Sequence, residues 1–496
     1  VRRLVVVLLL AGCATAPAPQ PRAVETRPEP GLEATPTRTA PAARQLPPGL
    51  VVDPARLPVA PLEIAVRAPE VVTLPNGLSV YLLEDHTTPL VQLRYLTATG
   101  SVDDPATKLG LASLAASLVK EGGAGALGPE ALDELLEFHG ANASGGAGDE
   151  TSSVTFSVRA ADLARLFPVF ADVVQRPRFD AKRFEVAVAR LLEAIRRRED
   201  RPDGVAARAL AKAVFGPGSL LGREATAATV KAVTLDDVKR YHAATWGAKG
   251  SRLLITGDFD PGAVRALLGL HFAGWKGGVA PAHRFEPAPA LVRRVIVVPR
   301  DVAQAKVRLG AAGFTRTSPD EFPARLVNTA LGAFGVGRLY REIRDERGLA
   351  YSAFSSVSPG PTSGLFMAGF DTRPEQVGEA LEVALRILSE AGGAAPVTQA
   401  ELAVASDMAL NAFAFRFDGA AKVAGEKATF DLFGYPPDYL QSWRSKVGAV
   451  TPEAATALAR RFGEGLQIVV VGPPAKLGDL SRFGPVSTIT DVEQFR

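Results

Sequence analysis

Ala232-Val233-Thr234, a helical stretch, then Leu253-Leu254-Ile255-Thr256-Gly257: the same run recurs as Ala449-Val450-Thr451, a helical stretch, then Ile468-Val469-Val470-Val471-Gly472. A second pair keeps the same distance. Gln92 to Gly100, a strand entering a loop, matches Lys306 to Gly313. The offsets lie between 213 and 217 residues (100 to 313, 92 to 306, 253 to 468, 232 to 449). Self-similarity at a fixed offset marks repeated structural units. Strands and helices mix in each copy without the strict alternation of a parallel α/β sheet. The fold class read from this is α+β: two homologous domains, each an antiparallel-rich sheet packed with helices.

Working outward, the first copy opens with Val71-Val72-Thr73-Leu74, then Pro75-Asn76-Gly77, then Leu78-Ser79-Val80-Tyr81-Leu82-Leu83. Asn-Gly between apolar runs is a strong hairpin signal, because both turn residues need positive φ. The pattern predicts further strands at 91–96, 153–158 and 252–257. It predicts helices near 109–120, 129–139, 160–174, 181–200, 204–214 and 225–245. A Pro/Ala linker near 279–291 separates the copies. The domain boundaries read this way are 70–280 and 291–490. Residues 14–69 are rich in Pro, Ala, Thr and Arg, as in Ala16-Pro17-Ala18-Pro19-Gln20-Pro21. Such a stretch cannot bury enough apolar surface to order itself, and it reads as a tether.

Composition narrows the function. The 496 residues carry 56 basic and 53 acidic side chains, for a net charge of +3. That balance gives no footprint for nucleic acid. No apolar run reaches the ~18 residues of a membrane-spanning helix. The lone cysteine, Cys13, excludes an internal disulfide. It follows a short positive region, Arg2-Arg3, and an apolar run, Leu4 to Leu10. Residues 1–13 therefore have the layout of a secretory signal. Leu10-Ala11-Gly12-Cys13 resembles a bacterial lipobox, which implies cleavage before Cys13 and lipid on its thiol. Ala14 behind it implies outer-membrane sorting, facing the periplasm. The expected location is the bacterial cell envelope, with membrane contact through the lipid alone.

Several stretches resemble the pitrilysin/insulinase peptidase family, whose zinc motif is H-x-x-E-H. Thr73-Leu74-Pro75-Asn76-Gly77-Leu78 is similar to the family's first hairpin, and Gly110-Leu111-Ala112 to the lead-in of its zinc helix. Leu192-Glu193-Ala194-Ile195-Arg196 resembles the helix of the distal ligand. Val230-Lys231-Ala232-Val233-Thr234 and Gly257-Asp258-Phe259 resemble the end of the first domain. The run Gly337-Arg338-Leu339-Tyr340-Arg341-Glu342-Ile343-Arg344-Asp345-Glu346-Arg347-Gly348-Leu349-Ala350-Tyr351 is similar to a second-domain signature. The order and spacing of these pieces carry the likeness across roughly 70–475.

The metal-binding residues depart from the pattern. Two histidines four apart share one helix face, so both rings can reach one zinc. Those positions here are Ser113 and Ser117, and the glutamate position between them is Ala116. The distal glutamate position, 77 residues past the second histidine position, is Ala194. Its neighbour Glu193 points about 100° away around a helix, and a shift of one residue in the matching would exchange the two. Alanine offers no donor atom, and a neutral hydroxyl is a poor stand-in for imidazole. The five histidines show no i,i+4 pair elsewhere. No metal or other cofactor is assigned to this chain. Ser113 and Ser117 lack the G-x-S-x-G context of a nucleophile. Gly332-Ala333-Phe334-Gly335-Val336-Gly337 lacks the Lys-Ser/Thr of a P-loop and reads as a loop opening the Arg344 helix.

The resemblance further implies a retained pair. An arginine and a tyrosine, six residues between them, reach from the family's second domain toward a bound peptide. Arg344 and Tyr351 fit that spacing. The expectation is the non-zinc, substrate-binding subunit of a heterodimeric peptidase, half of a clamshell, with zinc in a paralogous partner. The alternative expectation is an inactive family member acting as a scaffold or peptide-binding protein.

Overall fold

The computed structural model describes residues 67–278 and 285–495. Cys13, the expected signal segment and most of the expected tether lie outside the described residues. The first half runs β1 (Glu70–Thr73), β2 (Ser79–Glu84), β3 (Leu90–Thr97), α1 (Leu111–Glu121), α2 (Pro129–Phe138), β4 (Asn142–Ala147) and β5 (Ser152–Arg159). It continues with α3 (Leu163–Gln175), α4 (Ala181–Arg197), α5 (Pro202–Phe215), α6 (Ala227–Lys231), α7 (Leu235–Thr245), β6 (Arg252–Gly257) and α8 (Pro261–His271). The second half runs β7 (Arg294–Pro299), β8 (Ala305–Ala312), α9 (Glu321–Gly332), α10 (Arg338–Tyr340), β9 (Ala350–Ser358) and β10 (Leu365–Thr372). Then come α11 (Val377–Ala391), α12 (Gln399–Ala414), α13 (Ala420–Phe433), α14 (Tyr439–Gly448), α15 (Pro452–Gly463), β11 (Gln467–Gly472) and β12 (Val486–Thr488).

Local sequence explains the element boundaries. The Asn76-Gly77 turn closes the first hairpin, with Gly77 at φ 87°. The Asn76 amide also donates to the carbonyls of Phe272 and Trp275, at 2.7 and 2.9 Å, pinning the turn to the end of α8. The stretch expected as one helical region over 225–245 is two helices. Thr226 and Thr234 each begin a capping box, and the second accepts from the Asp237 amide at 3.2 Å. A threonine N-cap starts a new helix rather than continuing an old one.

The twelve strands form two six-stranded mixed sheets, ordered β1-β2-β6-β3-β5-β4 and β12-β7-β11-β8-β10-β9. Five strands correspond between them. β6 and β11 lie 215 residues apart (252 to 467), and each runs parallel to its β2 or β7 neighbour and antiparallel to β3 or β8. The outermost strand differs. β1 precedes β2 and pairs antiparallel, whereas β12 comes from the C-terminal end and pairs parallel with β7.

One face of each sheet packs on its own helices. Leu93, Tyr95, Phe156 and Ile255 meet Leu114, Leu118, Phe167 and Phe170 of α1 and α3. Val307, Leu309, Phe366 and Val470 meet residues of α9, α11 and α15. The other face is covered by a helix from the opposite half. α5 lays Val205, Ala209 and Leu210 on Ile296, Val298, Val469 and Val471. α13 lays Ala424 and Ala428 on Tyr81 and Leu254. β7 and β11 are apolar on both faces, so both faces need cover. The small residues of α5 and α13 allow close approach. A Cβ at Gly310 would lie 2.8 Å from Leu210. Burying side chains of this size is worth about 1.5–3 kcal/mol each, so the reciprocal helices lock the two halves together.

Candidate functional site

Two groups of residues are in question, one in each half. The first sits on α1 and α4. Gly110, at φ 105°, turns the chain into α1. Asp104 is buried there and accepts from the amides of Gly110 and Ala112 at 2.7 and 2.8 Å. Burial pushes its carboxyl up to about 6, against the pull of those two amides. The buried face of α1 is thereby fixed on the sheet, and Ser113 stands exposed on the other side. Ala116 is buried. The Ser117 hydroxyl is half-buried and donates to the Leu114 carbonyl at 3.1 Å, an i−3 bond within the helix.

α4 lies alongside α1; Leu191 of α4 packs beside Gly110. Ala194 is exposed. Glu193 is held in an ion triad, accepting from Arg196 at 2.7 and 2.8 Å and from Arg197 at 2.5 Å. The Arg196 and Arg197 hydrogen bonds bring its carboxyl down to about 2. The residues at the four metal-site positions thus offer two methyl groups, one exposed hydroxyl and one hydroxyl bonded to its own helix. That donor set does not fit zinc, which takes imidazole, thiolate or carboxylate. Among the described residues, no three His, Cys, Asp or Glu side chains gather at metal-binding spacing.

Beside α1 runs β4, the edge of the first sheet. Gly145 makes the approach possible: a Cβ there would lie 1.9 Å from the Ala116 carbonyl oxygen. An edge strand next to this helix offers backbone donors and acceptors to an extended peptide.

The second group is Arg344 and Tyr351. After α10 the helix widens into a π-turn over Arg341–Glu346. It ends at Gly348, at φ 60°, which redirects the chain into β9. Such π-turns occur mostly as single turns and often at functional sites. Much of the surrounding signature is structural. Leu339, Tyr340 and Ile343 are buried. Arg338 makes a two-pronged pair with Glu401 at 2.7 Å on each prong. Burial opposes ionisation of Glu401, but Arg338 and the Thr398 amide hold its carboxyl down to about 2.

Arg344 and Tyr351 are different. The Tyr351 side chain is 77% exposed, on the edge strand β9 of the second sheet. The Arg344 guanidinium stands 4.6 Å from the Tyr351 ring centroid, 4.8 Å from Tyr340 and 5.9 Å from Phe334. Three rings thus orient one cation, each contact of the order of 0.5–1 kcal/mol at an exposed site. Asp345 is its nearest carboxylate, at 4.0 Å, so its N–H donors remain largely available. The sequence reading singled out Arg344 and Tyr351 but not Phe334 and Tyr340 as their partners. Tyr340 was legible as the i−4 neighbour of Arg344. Phe334 becomes a partner only through the fold of its glycine-rich loop. No hydrogen bond or ring contact links this group to α1 or α4 among the described residues.

Comparison with known proteins completes the description. A family model described as insulinase (peptidase family M16) matches residues 79–223. A second, described as the peptidase M16 inactive domain, matches residues 232–408. The chain belongs to the insulinase (M16) peptidase family. Within it, the chain lacks the zinc motif. An uncharacterized zinc protease of Streptomyces coelicolor is 26% identical over 326 residues, covering 63% of this chain and 70% of the relative. An uncharacterized zinc protease of Mycobacterium bovis is 27% identical over 364 residues, covering 71% and 80%. The crystal structure of a peptidase M16 inactive domain from Pseudomonas fluorescens has a TM-score of 0.73 at 22% identity, covering 82% of this chain and 98% of that one. The M16 fold of two homologous α+β domains is therefore established for this chain.

Proposed function

We propose that this M16 protein is the non-zinc, substrate-binding subunit of a heterodimeric peptidase that processes or degrades peptides in the bacterial envelope. One observation carries the reading: the metal-site positions of α1 and α4 carry no ligand chemistry, while Arg344 and Tyr351 stand exposed with their polar atoms available. A guanidinium grips peptide carbonyls or a carboxylate, and a phenol donates to an oxygen where charge develops. The free edges β4 and β9 suit an extended peptide adding as a strand. The paralogous partner subunit would hold zinc, and the two would close as a clamshell around the peptide. Lipid on Cys13 would keep the assembly at the outer membrane, facing the periplasm.

The test is reconstitution with a zinc-bearing paralogue, followed by peptide cleavage. Tyr351→Phe keeps the ring under Arg344 and removes only the hydroxyl. It should lower turnover by roughly 10²–10³, as for loss of one oxyanion donor. Arg344→Ala should raise KM more than it lowers kcat. Neither should disturb assembly. Wild-type cleavage by both variants within a normal complex would refute this reading and favour a scaffold.

A further inference from the structure

The two sheets place an arginine at the same register position and treat it in opposite ways. Arg94 of β3 sits opposite Leu254 of β6 and Thr155 of β5. Arg308 of β8 sits opposite Val469 of β11 and Gly369 of β10. Leu254 and Val469 are themselves equivalent, since each is the third residue of its strand. Arg308 is 6% exposed and satisfied by carboxylates. Asp371 of β10 accepts from it at 2.9 Å and Asp203 of α5 at 3.1 Å.

Neither carboxylate has a counterpart around Arg94. The register partner of Lys306, two residues before Arg308, is Asp371; the β5 partner of Gln92, two residues before Arg94, is Ser157. Asp203 is the second residue of α5; the second residue of α13 is Ala421. The covering helices also sit differently. α5 lies across β8 and β11, whereas α13 lies across β6 and β2, one strand further from β3. The offset leaves a cavity of about 410 Å³ over β3, lined by Gln92, Arg94, Arg416, Lys422, Glu426 and Thr429 among others. That volume is within the range of small-ligand sites.

The charge balance of this lining is positive. Arg416 pairs with Glu426, and Lys422 reaches only the exposed Asp418, at 3.5 Å. Arg94 has no hydrogen bond or ion pair among the described residues, and its Nε is buried without an acceptor. Burial pulls its pKa below the ordinary guanidinium value. A desolvated guanidinium without an acceptor is costly, so its complement is an anion. The second sheet supplies the chemistry of that anion, because there the same position is completed by carboxylates.

We propose that the cavity between β3 and α13 is a binding site for a carboxylate, gripped by Arg94 with Lys422 at its rim. The carboxylate comes either from a peptide, as its C-terminus, or from a small free acid. The site stands independently of the subunit reading; only the peptide source draws on it.

The test is titration calorimetry of the whole protein with three probes: citrate, a nonapeptide with a free C-terminal carboxylate, and the same peptide as its C-terminal amide. Charge-assisted hydrogen bonds of this kind correspond to roughly 10- to 100-fold in affinity. Arg94→Gln should weaken binding of citrate and of the free-acid peptide by that factor. Ser157→Asp should do the same, because it gives Arg94 an internal carboxylate at the register of Asp371. Its thermal midpoint should equal or exceed that of wild type, which shows that lost binding is not lost folding. Binding of the free acid with loss of the amide assigns the site to a peptide C-terminus. Binding of citrate alone assigns it to a free acid. Arg344→Ala should leave citrate binding unchanged, so failure of the subunit reading is read separately. Wild-type affinity in both Arg94→Gln and Ser157→Asp, or no binding of any carboxylate probe to the wild-type protein, would overturn the proposal.

Discussion

Gly145 and Gly146 are neighbours on β4, and their substitution by alanine should have opposite consequences. Successive residues of a strand face opposite sides of the sheet. A Cβ at position 145 would lie 1.9 Å from the Ala116 carbonyl oxygen and 3.2 Å from Val119, whereas one at position 146 meets nothing within 4 Å. Ordinary contact begins at 3.4 Å, so Gly145→Ala must part β4 from α1 by about 1.5 Å (3.4 less 1.9). Such overpacking costs about 1–3 kcal/mol. Gly146→Ala should stay within about 0.5 kcal/mol of wild type. Urea denaturation of the three proteins measures both values. The shifted edge should also weaken peptide cleavage by the reconstituted pair in Gly145→Ala alone. Equal urea midpoints for the two variants would refute the argument that Gly145 exists to seat β4 against α1.

Three further outcomes are expected. His242 is buried against Phe179 and Trp246, with Nε2 3.0 Å from the Val174 carbonyl, and burial lowers its pKa from 6.5 to about 4. The folded value lies below the unfolded one, so this stability is complete above pH ~6.5 and lost as pH falls toward 4. The stability gap between wild type and His242→Phe should therefore shift by about 3 kcal/mol between pH 8 and pH 4 in denaturant titrations; a pH-independent gap would refute it. Asp371→Ala should cost about 2 kcal/mol, because it leaves the buried Arg308 with only the half-exposed Asp203. Asp203→Ala should cost less than 1 kcal/mol, as for a solvent-screened partner; thermal or urea denaturation ranks the two, and the reverse order would contradict the burial argument. Cys13→Ala should move the protein from the membrane to the soluble fraction of the envelope, and unchanged fractionation would remove the lipid anchor from the reading.

The sequence by itself determined what depends on neighbours along the chain. The Asn76-Gly77 hairpin, the threonine-capped helices and the 215-residue repeat all follow from local backbone preference and side-chain period. So does the family likeness, with its loss of ligand chemistry at Ser113, Ala116, Ser117 and Ala194, because helix spacing alone says which side chains would share a metal. Arg344 and Tyr351 were legible by their spacing. The tertiary structure decided everything that rests on contacts between distant segments. β7 and β11 showed in sequence that both faces of a sheet need cover, but not that α5 and α13 cross between halves to provide it. Hydrophobic burial is non-directional, so an apolar face does not name its partner. The same holds for charge. Arg94 and Arg308 look alike as residues on matching strands; one becomes a satisfied core cation and the other the wall of a cavity. What separates them is the one-strand offset of a helix and the side chains at 157 and 371, 203 and 421, brought beside them only when the chain is folded.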